Sequence, residues 1–395
     1  MRIFTLKRQM LFAMFVVFGC LAIHAADDDL ITKQIIVKLD EAGTLPGKIG
    51  SSKIYKITNL KIVGKINGTD LQLIRDMAGC DFYGSSTNGK LAILDLTEAK
   101  IESGGDAYYV SYSCRTMDDE LGDYAFYGCK SLTSLFLPSS IISIGYYAFE
   151  DCSSLTSLSV PFGVTSIRDR AFSGCKSLTG LSLPSGITSI GDYAFWGCSS
   201  LIRLSLPCSV TSIGNSAFEG CSGLVSLSIP IGVTSISDYA FSDCKSLTSF
   251  SLPVSVSSIG NGAFLGCSSL TSLVFPSSVV SIANFAFEGC KGLTSLYVYA
   301  EKLPKMGTDV FGGCDAKQCI LYVPKGTYDD YWLSEFGYFE NIVEFDVAGI
   351  DQVTTSTDAK EISRYTVNGQ RLSAPTKGLN IVKYSDGSVK KVVVQ

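Results

Sequence analysis

From residue 126 onward the chain repeats one pattern of apolar and polar positions every 23 residues. An Ala-Phe pair ends at Phe126, Phe149, Phe172, Phe195, Phe218, Phe241, Phe264 and Phe287. A Cys follows three residues after each Phe, from Cys129 to Cys290, and a Leu three residues later, from Leu132 to Leu293. Pro closes seven of the units, from Pro138 to Pro276, and Ile returns ahead of the next unit, from Ile144 to Ile282. A fixed period of this length marks a solenoid, in which one coil cannot bury its apolar face alone but a stack of coils can.

Each column of the repeat has a physical reading. In Leu178-Thr179-Gly180-Leu181-Ser182-Leu183 the leucines alternate with Ser182, which predicts a strand with one buried and one wet face. Pro184 has no N–H to continue the ladder. Ile187-Thr188-Ser189-Ile190 predicts a second short extended stretch, and Gly191 to Phe195 a corner made by a short helical turn. Asp192 and its equivalents Asp123 and Asp238 suit a cap or turn. With coils stacked about 4.8 Å apart, eight of them give a rod on the order of 40 Å long.

Read from Gly191 to Pro207, the unit resembles the BspA-type leucine-rich repeat, Ile-Gly-x-x-Ala-Phe-x-Gly-Cys-x-Ser-Leu-Thr-Ser-Leu-x-Leu-Pro, and the resemblance extends over about residues 117–345. The expected fold is therefore an α/β repeat solenoid, rich in β-structure: a right-handed leucine-rich-repeat coil of 23-residue units capped at both ends, plus a small C-terminal β module. The resemblance also implies a secreted or surface protein, often an adhesin.

Open solenoid ends need covering. Residues 27–116 read as an N-terminal cap, with strands at Leu60–Val63 and Leu91–Leu96, a helix from Leu71 to Met77, and a diverged repeat at Leu94, Leu96, Ala99 and Ile101. At the far end Phe311 and Cys314 repeat the Phe–Cys pair after a step of 24. Ile320–Pro324 reads as the last strand and Tyr328–Phe336 as a capping helix, closing the solenoid at residue 345. Residues 346–395 change character: a Thr/Ser linker around 354–357, then three short strands with hairpin signals at Asn368-Gly369 and Asp386-Gly387. Tyr365, Asn368–Arg371, Lys377–Val382 and Lys390–Val392 resemble the C-terminal sorting domain of type IX secretion in Bacteroidota, which implies export across an outer membrane.

Residues 1–26 read as a signal peptide: basic Arg2, Lys7 and Arg8, an apolar stretch from Met10 to Ile23, and small Ala25 and Ala26. Val17-Phe18-Gly19-Cys20 resembles a lipobox, so lipidation of Cys20 is the rival reading. The apolar run is shorter than the roughly 20 residues of a membrane span, and no transmembrane segment is expected in the mature chain.

Charged residues make up 17% of the chain and the formal net charge is −5, which gives no electrostatic reason to expect nucleic acid. The one histidine, His24, lies in the leader. Its loss removes Ser-His-Asp and Cys-His catalysis and imidazole metal sites. Neither enzyme activity, cofactor nor metal is expected. Asp118-Asp119-Glu120 reads as a solvated turn, and Asn67-Gly68-Thr69 as a plain turn. The chain has 14 cysteines. Those of the repeat column read as buried thiols, whereas Cys80, Cys114, Cys208 and Cys319 lie outside it, with Cys80–Cys114 the candidate disulfide.

One column is aromatic at an otherwise variable place: Tyr124, Tyr147, Tyr193, Tyr239 and Phe285, interrupted by Arg170, Ser216 and Gly262, with Trp196 close by. Regularly spaced tyrosines are good contact groups; they equally suit packing on one another over the turn. The wet strand position is mostly Ser, at Ser159, Ser182, Ser205, Ser228 and Ser251, with Phe136, Val274 and Tyr297 toward its ends. These features point to an interaction protein, expected to be monomeric; the resemblance to the BspA-type repeats implies that its partner is a host or extracellular-matrix protein. A surface-glycan binder using the aromatic column is the alternative.

Overall fold

A computed structural model describes residues 29–110 and 113–346 in full, and the backbone of four strands within 361–394. The leader, Cys20, the linker and the two hairpin signals of the tail lie outside the described residues.

The chain enters through three long strands that pair in parallel. β1 (Ile35–Leu39) pairs with β2 (Asn59–Ile66), placing Val37 beside Ile62. β2 pairs with β3 (Ile93–Ile101), placing Leu60 beside Leu94. β3 then pairs with the first repeat strand, Leu94 beside Leu135. The sheet of the cap therefore runs without a break of direction into the repeats, so each apolar ladder of the cap prepares the first coil.

Between β2 and β3 lies α1 (Gly68–Met77), which starts ahead of the Leu71 expected from the pattern. Asn67 is its N-cap, so Asn67-Gly68-Thr69 is a helix start and not a plain turn. The Asn67 side chain accepts from the Thr69 N–H, and Asp70 accepts from the Asn67 N–H at 3.0 Å. Asp70 is fully buried and also accepts from the N–H groups of Gly43 and Leu45, at 2.5 and 2.8 Å. A buried carboxylate is tolerable here because three backbone donors surround it.

Each repeat forms a coil with three sides. On the first side, short parallel strands stack in a register of one period, as in Leu158 beside Leu181 and Leu273 beside Leu296. On the second, two-residue strands do the same, with Ile167 beside Ile190 and Ile190 beside Ile213. The third side corrects the expected helical turn. The N–H groups of Tyr193, Phe195 and Gly197 donate to the carbonyls of Asn215, Ala217 and Glu219 in the next coil, at 2.8, 2.8 and 2.7 Å. The N–H groups between them close local turns, Trp196 to Tyr193 and Cys198 to Phe195. A helix would use every N–H within itself; here alternate donors stitch coil to coil.

The core runs down the axis. Phe126 to Phe287 stack ring on ring with centroids 5.1–5.6 Å apart and planes within 15°. The column cysteines are fully buried beside them. From Cys152 to Cys290 each thiol donates to a Phe carbonyl of the preceding coil, for example Cys198 to Phe172 and Cys221 to Phe195, both at 3.1 Å. The Phe195 carbonyl also accepts the Cys198 N–H at 3.1 Å, so both of its lone pairs are satisfied. This is why a small apolar group with a weak donor recurs there.

The C-terminal end departs from expectation twice. β4 (Ile320–Pro324) is followed by β5 (Asn341–Phe345), which pairs with it in parallel, so β4 is not the last strand. The expected single helix is broken: α2 (Tyr328–Trp332) ends, and a separate 3-10 turn covers Glu335–Tyr338. Ser334 causes the break, because its hydroxyl caps the Phe336 N–H at 3.2 Å. Phe336 and Phe339 then close over Phe311, at 5.7 and 4.9 Å between centroids, and end the phenylalanine stack.

The described residues of the tail form four strands where three are expected: β6 (Glu361–Thr366), β7 (Arg371–Leu372), β8 (Gly378–Tyr384) and β9 (Val389–Val394). They form an antiparallel sheet in the order β7-β6-β8-β9. Cys80 is a free thiol, buried between the Arg75 guanidinium and the Asp81 carbonyl, so the expected bridge to Cys114 does not form. Asp118 accepts the Ser103 N–H at 2.6 Å and Glu120 starts a strand, which makes that acid run a turn.

Candidate interaction surface

The aromatic column sits where the second side of each coil meets the third. All eight of its positions, from Tyr124 to Phe285, have φ between 52° and 59°. The left-handed conformation costs a non-glycine residue about 1–2 kcal/mol, so the column is set by the backbone path and not by side-chain preference alone. Two features offset that strain. The left-handed turn aims the N–H into the next coil, as for Tyr193. It also stacks large side chains along the outside of the rod.

The stack is continuous over the first coils. Tyr109 lies on Tyr124 at 4.8 Å, and Tyr124 on Tyr147 at 4.6 Å with planes 3° apart. Arg170, which interrupts the pattern in sequence, completes it in space. Its guanidinium lies 4.3 Å from the Tyr193 ring and 6.0 Å from the Tyr147 ring, a cation–π bridge between two coils. Arg170 also pairs with Glu150 at 3.6 Å. Burial pushes the Glu150 carboxyl up, and the Arg170 charge works against that shift.

Tyr124, Tyr147 and Tyr193 are consequently half-buried. Further along, the column opens. A Cβ on Gly262 would come within 2.5 Å of the Tyr239 ring, so that ring lies over the glycine of the next coil. Tyr239, Phe285 and Trp196 are exposed. The structure thus brings Tyr124, Tyr147 and Tyr193 into one stack through Arg170, and leaves Tyr239 and Phe285 as separate platforms.

Beside this column runs a ladder of carboxylates and amides. Asp169 accepts the Asp192 N–H at 3.0 Å, Asp192 the Asn215 N–H at 2.7 Å, and Asp238 the Asn261 N–H at 2.7 Å. The turn role read for Asp192 is thus a bond between coils. On the strand side, Ser159, Ser182, Ser205, Ser228 and Ser251 are all exposed. Tyr297, toward one end of that face, is stacked on Tyr322 at 4.3 Å.

A second exposed column escaped the sequence reading. The residues directly after the prolines include Phe162, Ile231 and Val254, which are 78%, 67% and 65% exposed, and Cys208, also exposed. The signal was present: Ser occupies this place in the other units, at Ser139, Ser185 and Ser277, and apolar substitution of an exposed Ser column has no core explanation. Among the described residues no group of three or more Cys, His, Asp or Glu could hold a metal ion.

The model described as the BspA type leucine-rich-repeat region matches the chain in six copies over residues 119–245 and 211–323. Among solved structures, a leucine-rich-repeat protein from Bacteroides ovatus is 26% identical, with 60% of this chain and 67% of that chain covered and a TM-score of 0.47. The leucine-rich-repeat protein of T. pallidum is 36% identical over 40% of this chain and 76% of its own, with a TM-score of 0.37. A leucine-rich cell-surface protein from Faecalibacterium prausnitzii is 23% identical over 79% of this chain and 87% of its own, with a TM-score of 0.39. No curated protein matches.

Proposed function

The chain belongs to the BspA-type leucine-rich-repeat family, and from that premise we propose that its solenoid is an adhesive rod that binds a host or extracellular-matrix protein. Such solenoids are typically binding or structural proteins and not enzymes. The contact residues are Tyr124, Tyr147, Tyr193, Trp196, Tyr239 and Phe285. The observation that carries this reading is the row of large aromatic side chains along the rod, of which Trp196, Tyr239 and Phe285 are exposed, on coils locked together by backbone bonds. Rigid aromatic groups bury much area on contact and lose little side-chain entropy doing so. The low charge of the chain makes apolar contact, not electrostatic steering, the main source of affinity.

Surface display fits the same reading. Among the described residues no helix is long and apolar enough to cross a membrane. We assign residues 1–26 to a cleaved leader, 27–116 and 117–345 to the cap and solenoid, and 346–395 to a linker and sorting-type module. The antiparallel pairing of β6, β8 and β9 supports that last assignment, because the solenoid strands pair in parallel. Deleting residues 346–395 should then leave the protein inside the outer membrane, as read by fractionation.

The test of function is binding of the purified chain to immobilised matrix proteins and glycans side by side. A saturable protein signal that falls about tenfold in Tyr239→Ala and Trp196→Ala supports the adhesive reading, since hot-spot aromatics are worth at least ~1.4 kcal/mol each. Protein binding unchanged by both substitutions would remove the aromatic corner from the argument.

A further inference from the structure

The N-terminal cap carries a cleft that the adhesive reading does not use. It is about 470 Å³ in volume and is lined by Pro46, Tyr55, one face of α1, and the loop of residues 81–87. The face of α1 is Thr69, Gln72, Leu73 and Asp76, the spacing that aligns residues along one side of a helix. The opposite stripe, Leu71, Ile74 and Met77, is buried in the core. The helix therefore divides its sequence between holding the cap and lining the cleft.

The loop over the cleft is preformed. Asp81 accepts the N–H groups of Tyr83 and Ser85 at 2.9 and 2.7 Å, and its own N–H donates to the Ser85 carbonyl at 2.9 Å. The Thr87 hydroxyl ties the loop to the Asp76 carbonyl at 2.6 Å. This holds Phe82 and Tyr83 edge to face at 5.1 Å, with Tyr83 72% exposed. Across the cleft, the Tyr55 hydroxyl donates to the Asp76 carboxylate at 3.1 Å. Among the described residues no Lys or Arg forms an ion pair with the carboxylate of Asp76 or Asp81. Among the described residues none hydrogen-bonds to the Gln72 amide or the Tyr83 hydroxyl.

We propose that this cleft binds a neutral saccharide, one of whose sugar rings lies on Tyr83 while its hydroxyls bond to Gln72, Asp76 and Asp81. A sugar ring has an apolar C–H face and a rim of hydroxyls. It needs an open aromatic platform beside planar acceptors and donors, which is the mixture found here. The volume is that of a small-ligand site, at the lower end of the ~300–1,000 Å³ range. A cationic ligand fits less well. The Asp76 charge is already shared with Tyr55, and one Asp81 oxygen is used by the loop, so directional acceptors are offered rather than a pair of bare charges. Preorganisation of the loop removes the ordering cost that a mobile lid would carry.

The site is independent of the solenoid surface, so its test stands apart from the adhesion test. Calorimetric titration of the purified full chain with maltose, cellobiose, lactose and di-N-acetylchitobiose should give saturable binding of at least one. Tyr83→Ala and Gln72→Ala should each weaken that binding roughly tenfold, about 1.4 kcal/mol, while Tyr239→Ala on the solenoid leaves it unchanged. Tyr83 is exposed enough that Tyr83→Ala folds normally, which an unchanged urea midpoint verifies. Binding of choline chloride with none of the disaccharides, no binding at all, or disaccharide binding indifferent to Tyr83→Ala would each overturn the proposal.

Discussion

Phe195→Ala is the sharpest test of the core. Phe195 is fully buried, with Phe172 on one side at 5.5 Å and Phe218 on the other at 5.2 Å, planes 3° and 10° apart. Truncating a buried Phe costs about 3–5 kcal/mol, and each ring pair contributes roughly 0.5–1.5 kcal/mol beyond area burial. Coils in mid-array have few ways to collapse into the cavity, because both neighbours are pinned by backbone bonds at the same place: Phe172 donates to the Ala194 carbonyl and Phe195 to the Ala217 carbonyl. The cost should therefore fall at the upper end, about 5 kcal/mol. Phe126 gives the internal comparison. Among the described ring pairs it stacks on Phe149 alone, so Phe126→Ala should cost about 0.5–1.5 kcal/mol less. Urea unfolding followed by circular dichroism reads both, from midpoint shifts at constant slope. A Phe195→Ala cost under about 2 kcal/mol, or equal costs at the two sites, would refute the view that paired stacking in a non-relaxing array sets core stability.

Four further outcomes follow from the contacts described above. Burial pushes the Cys198 thiol up to about 12, against about 8.5 for an unfolded thiol. The folded state keeps protons that the unfolded state loses, so stability is full below that lower value and declines as pH rises from there toward 12. Each such thiol costs about 1.4 kcal/mol one unit above its unfolded pKa, and Cys198→Ala should flatten the slope of urea stability against pH. A thiol reagent at neutral pH should modify exposed Cys208 quickly and the buried column only on unfolding, as mass mapping would show. Asp192→Ala should cost about 0.5–1.5 kcal/mol by removing the acceptor of the exposed Asn215 N–H, whereas Asp192→Asn keeps an amide acceptor like the one Asn215 itself supplies one coil on and should be near neutral in thermal melts. Arg170→Ala should cost roughly 0.5–2 kcal/mol and leave the Tyr193 ring more open to a fluorescence quencher; an unchanged melting temperature would mean that the bridge contributes nothing.

The period, the two stranded sides of the coil and the core columns were legible in the sequence because burial recurs once per coil. Phe, Cys, Leu and Ile each face the axis, and a position facing the axis tolerates only a narrow set of residues. The placing of the candidate surface was legible only in part. Exposure of Tyr239 and stacking of Tyr124 look identical in the chain, and which applies depends on whether the next coil offers Gly262 or Tyr147. Arg170 reads as a gap in the aromatic pattern until a ring is placed on either side of it. The left-handed backbone of the column, the carboxylate ladder, the break at Ser334 and the free thiol of Cys80 were decided by tertiary structure. The first two depend on neighbours a whole coil away, a carbonyl 22 residues ahead for Tyr193 and an N–H 23 residues ahead for Asp192; the last two depend on nearby groups, the Ser334 hydroxyl for Phe336 and the Arg75 guanidinium for Cys80, whose contacts are made only by the folded backbone. A solenoid writes its core once in every coil, but its surface and its ends are set by contacts between coils, which the period implies without specifying.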